Sequence, residues 1–278
     1  MIESSRYVVI GTPTLDGMVT VEYLRSLVGT VQLLTANGIH SEVSLQVGDS
    51  FIQKARNAIM KRFMEGPGTD VFFIDSDQGW EPEAVLRMLE RPEAVVAGIP
   101  PRKQDQVSFP VIFHDKLYEG REGQFGHGLF LAHTVGAAFL RLKRAVPALI
   151  QALNPTNTYR NPEPGADPND IYYAFFEAGV VNGEFWGEDY WFCHKVRSAG
   201  YQIWVDPNIM FSHTGRKQWS GNLGHYLTRI MDDALPGHGT DGEEPAAGDR
   251  AKDAQGSMQS ALPGNGSGHP LEADHGLA

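Results

Sequence analysis

Val71-Phe72-Phe73-Ile74-Asp75-Ser76-Asp77 is the stretch from which the fold is read. Four consecutive apolar strand-formers suit a strand covered on both faces, as parallel sheets require. Two carboxylates at spacing two then close it. In an open α/β sheet, ligands gather beyond the carboxyl ends of the strands, and paired carboxylates there suit a hard divalent ion already carrying phosphate oxygens. By itself Asp-x-Asp is a weak signal, more often a solvated turn in which Asp77 caps a helix starting near Glu81-Pro82. The rest of the chain has to weigh the two.

Outward from this strand the pattern repeats. Tyr7 to Gly11 reads as a first strand stopped by Thr12-Pro13-Thr14, and Val19 to Ala36 has helical spacing ended by Asn37-Gly38. Glu42 to Val47 alternates as a second strand, and a helix follows Gly48-Asp49-Ser50 as far as Gly66. After Val71 to Ile74 come a helix from Pro82 to Leu89 and a strand from Ala94 to Ile99. This βαβαβαβ run predicts an α/β fold with a mostly parallel sheet flanked by helices. Beyond Pro100, Val107 to His114 and Leu129 to Leu140 read as strands and Arg144 to Leu153 as a helix. A Pro/Asn/Asp-rich loop spans Asn154 to Asp170, Glu188 to Ala199 is helical and Tyr201 to Val205 is a strand.

The chain has 278 residues, 41% hydrophobic and 21% charged, which are globular proportions. A single cysteine, Cys193, excludes an internal disulfide and a multi-cysteine zinc site. A reducing, cytoplasmic setting is the simpler expectation. No apolar stretch is long enough for a membrane span, and the opening Met1 to Arg6 lacks a signal-peptide pattern. The net charge of −11 discourages adhesion to nucleic acid. Much of it sits after Met231, where nine acids face two bases. That Gly/Pro/Ser-rich end predicts a disordered acidic tail over 235–278. The ordered domain is expected over 1–230, with a first half to 105 and a second from 106.

Short features carry the chemistry. Gly187-Glu188-Asp189 starts a helix, where carboxylates are favoured by free N–H groups and serve first as caps. Ser212-His213-Thr214-Gly215 reads as a polar turn after a strand, and such a histidine is more often a hydrogen-bonding residue than a ligand. Arg56, in Ala55-Arg56-Asn57, reads as a solvated helical charge, and Pro100-Pro101-Arg102-Lys103 as a rigid surface turn presenting two cations.

Taken in order, Thr12-Pro13, Asp49-Ser50, Ala55-Arg56-Asn57, Asp75-Ser76-Asp77, Gly187-Glu188-Asp189 and Ser212-His213-Thr214-Gly215 resemble a GT-A fold glycosyltransferase of the family-2 type and its phage-encoded relatives. The resemblance covers most of Tyr7 to Gly215. It implies a Rossmann-like, mixed, mostly parallel sheet and transfer from a nucleotide diphosphate sugar, a UDP-sugar first. Thr12, Pro13 and Asp49 would hold the base and ribose, with Arg56 near the same pocket. Asp75 and Ser76 would face the ribose or metal shell, Asp77 would ligate Mn²⁺ or Mg²⁺, and His213 would complete the metal site. Lys103 would help clamp phosphates. An imidazole ligand favours Mn²⁺ over Mg²⁺. Asp189 would be the base that takes the acceptor's proton, Glu188 an orienting or capping residue, and a single displacement would invert the anomeric carbon.

The acceptor is not read. Gly123 to Gly128 and Gly136-Ala137-Ala138 are the sole signals in the middle of the chain and identify no substrate. A glycan, a lipid-linked sugar, a protein and a modified nucleic-acid base all stay open. Two rivals stay open as well. A sugar-1-phosphate nucleotidyltransferase would place an arginine in the loop after the first strand, and Gly11 to Gly17 has no basic residue. A non-catalytic nucleotide-sugar or nucleic-acid binding module would bind without turnover.

Overall fold

The apolar runs of the first hundred residues all become strands of one sheet. The computed structural model describes residues 6–114, 128–162 and 167–234; the predicted tail and most of the Gly123 to Gly128 stretch lie outside them. In chain order the elements are β1 (Tyr7–Thr14), α1 (Val21–Ala36), β2 (His40–Val47), α2 (Ile52–Glu65), β3 (Asp70–Ile74), β4 (Gln78–Trp80), α3 (Pro82–Glu90) and β5 (Val95–Gly98). There follow β6 (Val111–Phe113), β7 (Phe130–Val135), β8 (Phe139–Lys143), α4 (Ala145–Leu153), β9 (Thr158–Arg160), β10 (Ile171–Tyr173), β11 (Gly179–Val181) and β12 (Glu184–Trp186). The last are α5 (Glu188–Ser198), β13 (Ile203–Asp206), β14 (Phe211–Thr214), β15 (Gln218–Gly221) and α6 (Leu223–Ala234).

Eight strands form the main sheet in the order β2-β1-β3-β8-β5-β13-β7-β6. The pairings β1–β2, β1–β3 and β5–β13 are parallel, whereas β8 is antiparallel to both of its neighbours and β7 to both of its own. All strands but β7 and β8 therefore run the same way. This is the mixed α/β sheet, most of its strands running one way, expected from the sequence.

Alternation along β3 explains its unbroken apolar run. Val71 and Phe73 pack with Ile59, Met60 and Phe63 of α2 and Phe192 of α5, while Phe72 and Ile74 face Tyr23, Leu34, Val85 and Met88 of α1 and α3. All five residues of β3 are buried. Truncating such a phenylalanine to alanine costs about 3–5 kcal/mol. At the far end of β3 from the carboxylate pair, buried Asp70 accepts from Arg141 Nε of β8 at 2.8 Å, which neutralises both charges out of water.

Three expectations change. Leu129 to Leu140 is not one strand: Gly136-Ala137-Ala138 breaks it, sending β7 beside β13 and β8 between β3 and β5. The residues on either side of the break, Val135 and Phe139, are both buried, so apolar content does not mark it. As a result β3 and β5 are not neighbours, and the simple parallel run is interrupted by β8. Thr12 and Pro13 belong to β1 rather than to a loop after it. β3 pairs with β1 only from Val8 to Gly11, so the Thr12–Thr14 segment has β2 alone beside it, an edge where proline is tolerated. His213 lies in β14, in a small sheet ordered β15-β14-β4, and not in a turn.

Candidate active site

Parallel β1, β2 and β3 end at the same edge, so Thr14, Val47 and Ile74 deliver three loops side by side. Asp49 follows β2. Its Oδ1 accepts from the Phe51 N–H at 3.0 Å and so shapes the turn into α2. Together with Gln46, Gly48, Ser50, Lys54 and Asn161 it lines a cavity of about 300 Å³. Thr12 is fully buried, its hydroxyl 2.5 Å from that of Tyr23, and Pro13 is buried beside it. The Thr12 side chain is thus turned into the α1 side of the core and away from that cavity.

The centre of the site is Arg56, which is 3% exposed and not the solvated charge expected of an isolated helical arginine. One guanidinium nitrogen donates to Glu188 Oε1 at 2.6 Å and another to Asp75 Oδ1 at 3.0 Å. Phe176 lies under the guanidinium, 5.8 Å from its carbon to the ring centroid. Burial opposes the charge, and Asp75, Glu188 and Asp189 outweigh it, holding the Arg56 pKa above its ordinary value. Asn57 fixes Phe176 by a double clasp, donating to its carbonyl at 3.0 Å and accepting from its N–H at 2.8 Å. The Ala55-Arg56-Asn57 triplet therefore ties α2 to β3 and to the start of α5.

That start is set by a hairpin. Asn182 and Gly183, at φ 52° and 84°, make the tight turn between β11 and β12, and Gly187 caps α5 with Glu188 and Asp189 in its first turn. Asp189 Oδ1 accepts from the Tyr190 N–H at 2.9 Å. Burial and the neighbouring Glu188 push the Asp189 carboxyl above its ordinary range, and Arg56 pulls the other way without prevailing. Such a carboxyl is a stronger base than a solvated one. The Gly136-Ala137-Ala138 turn lines the same region. The Ala138 carbonyl accepts from the Asp75 N–H at 3.1 Å, and a Cβ on Gly136 would stand 3.8 Å from Asp189 Oδ2.

Asp77 faces a different set. His213 Nδ1 lies 2.7 Å from the Pro101 carbonyl, which can only accept, so this nitrogen carries the proton. Nε2 is then the nitrogen turned to Asp77 Oδ1, 3.4 Å away, where the imidazolium donates and the neutral ring offers a lone pair. A backbone carbonyl that accepts from one ring nitrogen, leaving the other to a metal, is how metal-ligating histidines are oriented. Lys103 places its ammonium on Asp77 Oδ2, its stem running close past Gly215. Burial would raise the Asp77 carboxyl, but His213 and Lys103 reverse this and hold it below its usual value. Ser76 contributes its carbonyl, which accepts from the Thr20 N–H at 3.0 Å at the head of α1.

The structure brings Asp77 and His213 together, while the Asp75 carboxylate is committed to Arg56. Among the described residues no three His, Cys, Asp or Glu side chains gather as a metal cluster. The donor set fits an ion held by one carboxylate oxygen and one imidazole nitrogen, with the remaining positions left to diphosphate and water oxygens. Two contributors went unread in the sequence. Pro101 supplies a carbonyl, which no side-chain motif reveals, and Phe176 carries no signal beyond its apolar character.

No helix among the described residues is long and apolar enough to cross a membrane. No family model and no curated protein matches the chain. Among solved structures, protein A197 from STIV aligns at 14% identity, over 76% of this chain and 86% of its own, with a TM-score of 0.43. A mutant Drosophila β-1,4-galactosyltransferase 7, in complex with manganese, UDP-Gal and xylobiose, aligns at 13% identity over 90% of this chain and 79% of its own, with a TM-score of 0.41. Residues 1–349 of S. aureus TarS align at 19% identity, over 72% of this chain and 57% of that chain, with a TM-score of 0.37. The α/β class rests on the strand order itself.

Proposed function

We propose that the chain is a metal-dependent glycosyltransferase that moves a sugar from a nucleoside diphosphate sugar, UDP-linked first, to an acceptor hydroxyl with inversion. The observation that carries this reading is the Arg56 bridge, which holds Asp75 and the Glu188-Asp189 pair at the same end of the sheet as the Asp77–His213 pair. The strand end that leads to Asp77 and the helix start that carries Asp189 are thereby tied through one buried guanidinium.

In this reading the cavity beside Asp49 takes the base and ribose, with the backbone of Thr12 and Pro13 along its approach. Asp77 and His213 would hold Mn²⁺, or Mg²⁺ less favourably. A divalent ion bound there neutralises charge on the departing diphosphate. Lys103, now paired with Asp77, would be within reach of the phosphates if a metal took its place on that carboxylate. Asp189 takes the acceptor proton as the hydroxyl oxygen bonds to the anomeric carbon and the sugar–phosphate bond breaks. Glu188 keeps Arg56 in place and keeps Asp189 basic. Trp186, beside the Gly187 cap, and Tyr190, 41% exposed, flank the base and offer aromatic faces to the acceptor. A reducing cytoplasmic setting fits buried, unpaired Cys193.

The test follows release of nucleoside diphosphate from a panel of nucleotide sugars with Mn²⁺, Mg²⁺ or chelator. Metal-dependent release that Asp189→Asn abolishes, while donor binding persists, is expected. Donor binding without turnover on any acceptor would instead leave a binding module.

A further inference from the structure

A second cavity, of about 380 Å³, opens between α4, α5 and the segment after β10. Trp191, His194 and Ser198 reach it from one stripe of α5, spaced three and four residues apart. Asn154 and Asn157 face them, with Glu177 between. Its volume lies within the range of about 300–1,000 Å³ typical of small-molecule sites.

Its chemistry is narrow. Trp191 stands half-buried and lines the cavity, its ring braced by edge-to-face contacts with Trp186 at 5.4 Å and His194 at 5.8 Å. Glu177 Oε2 accepts from Asn157 Nδ2 at 3.1 Å and from the Lys195 ammonium, which cancels the one fixed anion by the one fixed cation. Burial and the nearby Arg197 and Lys195 push the His194 imidazole below its ordinary range, toward the neutral ring. Among the described residues, Glu177 Oε1, Asn157 Oδ1 and the Trp191 indole N–H have no hydrogen-bond partner. Open donors and acceptors around a braced aromatic ring, with no net charge, suit a ligand that is apolar on its faces and hydroxylated at its edges. An anion would find no uncompensated cation here, and a purely apolar ligand would strand these polar groups.

We infer that this cavity binds a neutral carbohydrate, one ring of which lies on Trp191 with its hydroxyls bonded to Glu177 and Asn157. The proposal concerns binding alone and stands whether or not the chain transfers sugar.

Saturation-transfer NMR on the full chain tests it with maltotriose, cellotriose and chitotriose, and with a heparin disaccharide as the anionic control. At least one neutral sugar is expected to receive saturation, at an affinity reduced at least tenfold in Trp191→Ala and in Glu177→Gln. Because Trp191→Ala removes packing, Ser198→Trp provides a second route: it adds bulk at the exposed rim and should block binding with the fold intact. Asp77→Ala and added UDP should leave the signal unchanged. The inference is overturned if none of the three sugars binds, if binding survives Ser198→Trp, if UDP competes the signal away, or if the heparin disaccharide binds better than all three.

Discussion

Arg56 and Glu188 meet at 2.6 Å across 132 residues of chain, and that contact joins the strand-end carboxylate to the head of α5. Because Arg56 is 3% exposed, removing it leaves Asp75 and Glu188 without their buried counter-charge. Breaking such a pair from one side costs about 3–5 kcal/mol. Arg56→Met, similar in length but uncharged, should therefore lower unfolding stability by about 3 kcal/mol in urea denaturation. A loss below about 0.5 kcal/mol, the size of an ordinary surface substitution, would mean the guanidinium is solvated after all.

The pH dependence of transfer separates the two neighbours of Asp189. As base it must be ionised, and its pKa stands above the ordinary 3.8 because burial and Glu188 outweigh Arg56. Glu188→Gln removes a raising charge and frees Arg56 to act more strongly, so the acid limb of kcat/KM should move to lower pH. Arg56→Met removes the lowering charge and should move that limb to higher pH. Shifts of the same sign in both variants would exclude Asp189 as the titrating base.

Stability should respond to the same carboxyl. Folding raises the Asp189 pKa, so its contribution is fully present below the unfolded value and is lost as pH rises through the folded one. At neutral pH it is a net cost. Asp189→Asn should then raise the thermal midpoint at pH 7 while abolishing transfer, and the gain should vanish at a pH below the unfolded carboxyl pKa. A lower midpoint at pH 7 would show that the carboxylate is stabilised by its surroundings rather than strained by them.

Much of the sheet was legible because β3, β5 and β1 must be apolar on both faces and announce themselves as runs. The break between β7 and β8 was not, since Val135 and Phe139 are both buried and the turn between them is built from small residues. The acidic pairs were visible as spacing, Asp75 with Asp77 and Glu188 with Asp189. Their separate allegiances were not: whether Asp75 joins Asp77 or turns to Arg56 depends on where α2 packs against β3, a tertiary fact. Arg56 itself looked like a surface charge because helical position alone does not reveal which face is covered. Carbonyls act through the backbone, so the Pro101 oxygen left no mark in the side-chain pattern, and Gly136, visible in Gly136-Ala137-Ala138, gave no sign of standing beside Asp189.

Metal affinity can be read without turnover. If Asp77 and His213 are the two protein ligands, alanine at either position should weaken Mn²⁺ binding by tenfold or more, about 1.4 kcal/mol, as followed by the paramagnetic resonance of free Mn²⁺. Lys103→Ala should act oppositely. Its ammonium occupies the Asp77 carboxylate, so bare Mn²⁺ should bind more tightly once that competing charge is gone. Weaker Mn²⁺ binding in Lys103→Ala would show that Lys103 helps to build the site rather than to fill it.

Gly136 offers a substitution aimed at chemistry rather than at folding. Its φ is not positive, and the nearest atoms to an added Cβ are Pro110 Cγ at 3.6 Å and Asp189 Oδ2 at 3.8 Å, both ordinary contacts. Alanine there should leave stability within about 0.5 kcal/mol, whereas Gly98→Ala, whose Cβ would meet Phe211 at 2.6 Å and Ile209 at 2.9 Å, should cost about 1–3 kcal/mol by overpacking. The larger Gly136→Val extends methyl groups toward the Asp189 carboxylate. It should desolvate the base further, raise the acid limb of the pH profile, and narrow the space where an acceptor hydroxyl must stand. Transfer should fall with donor and Mn²⁺ affinity unchanged. Equal losses in donor binding and transfer would instead place Gly136 against the donor rather than the acceptor.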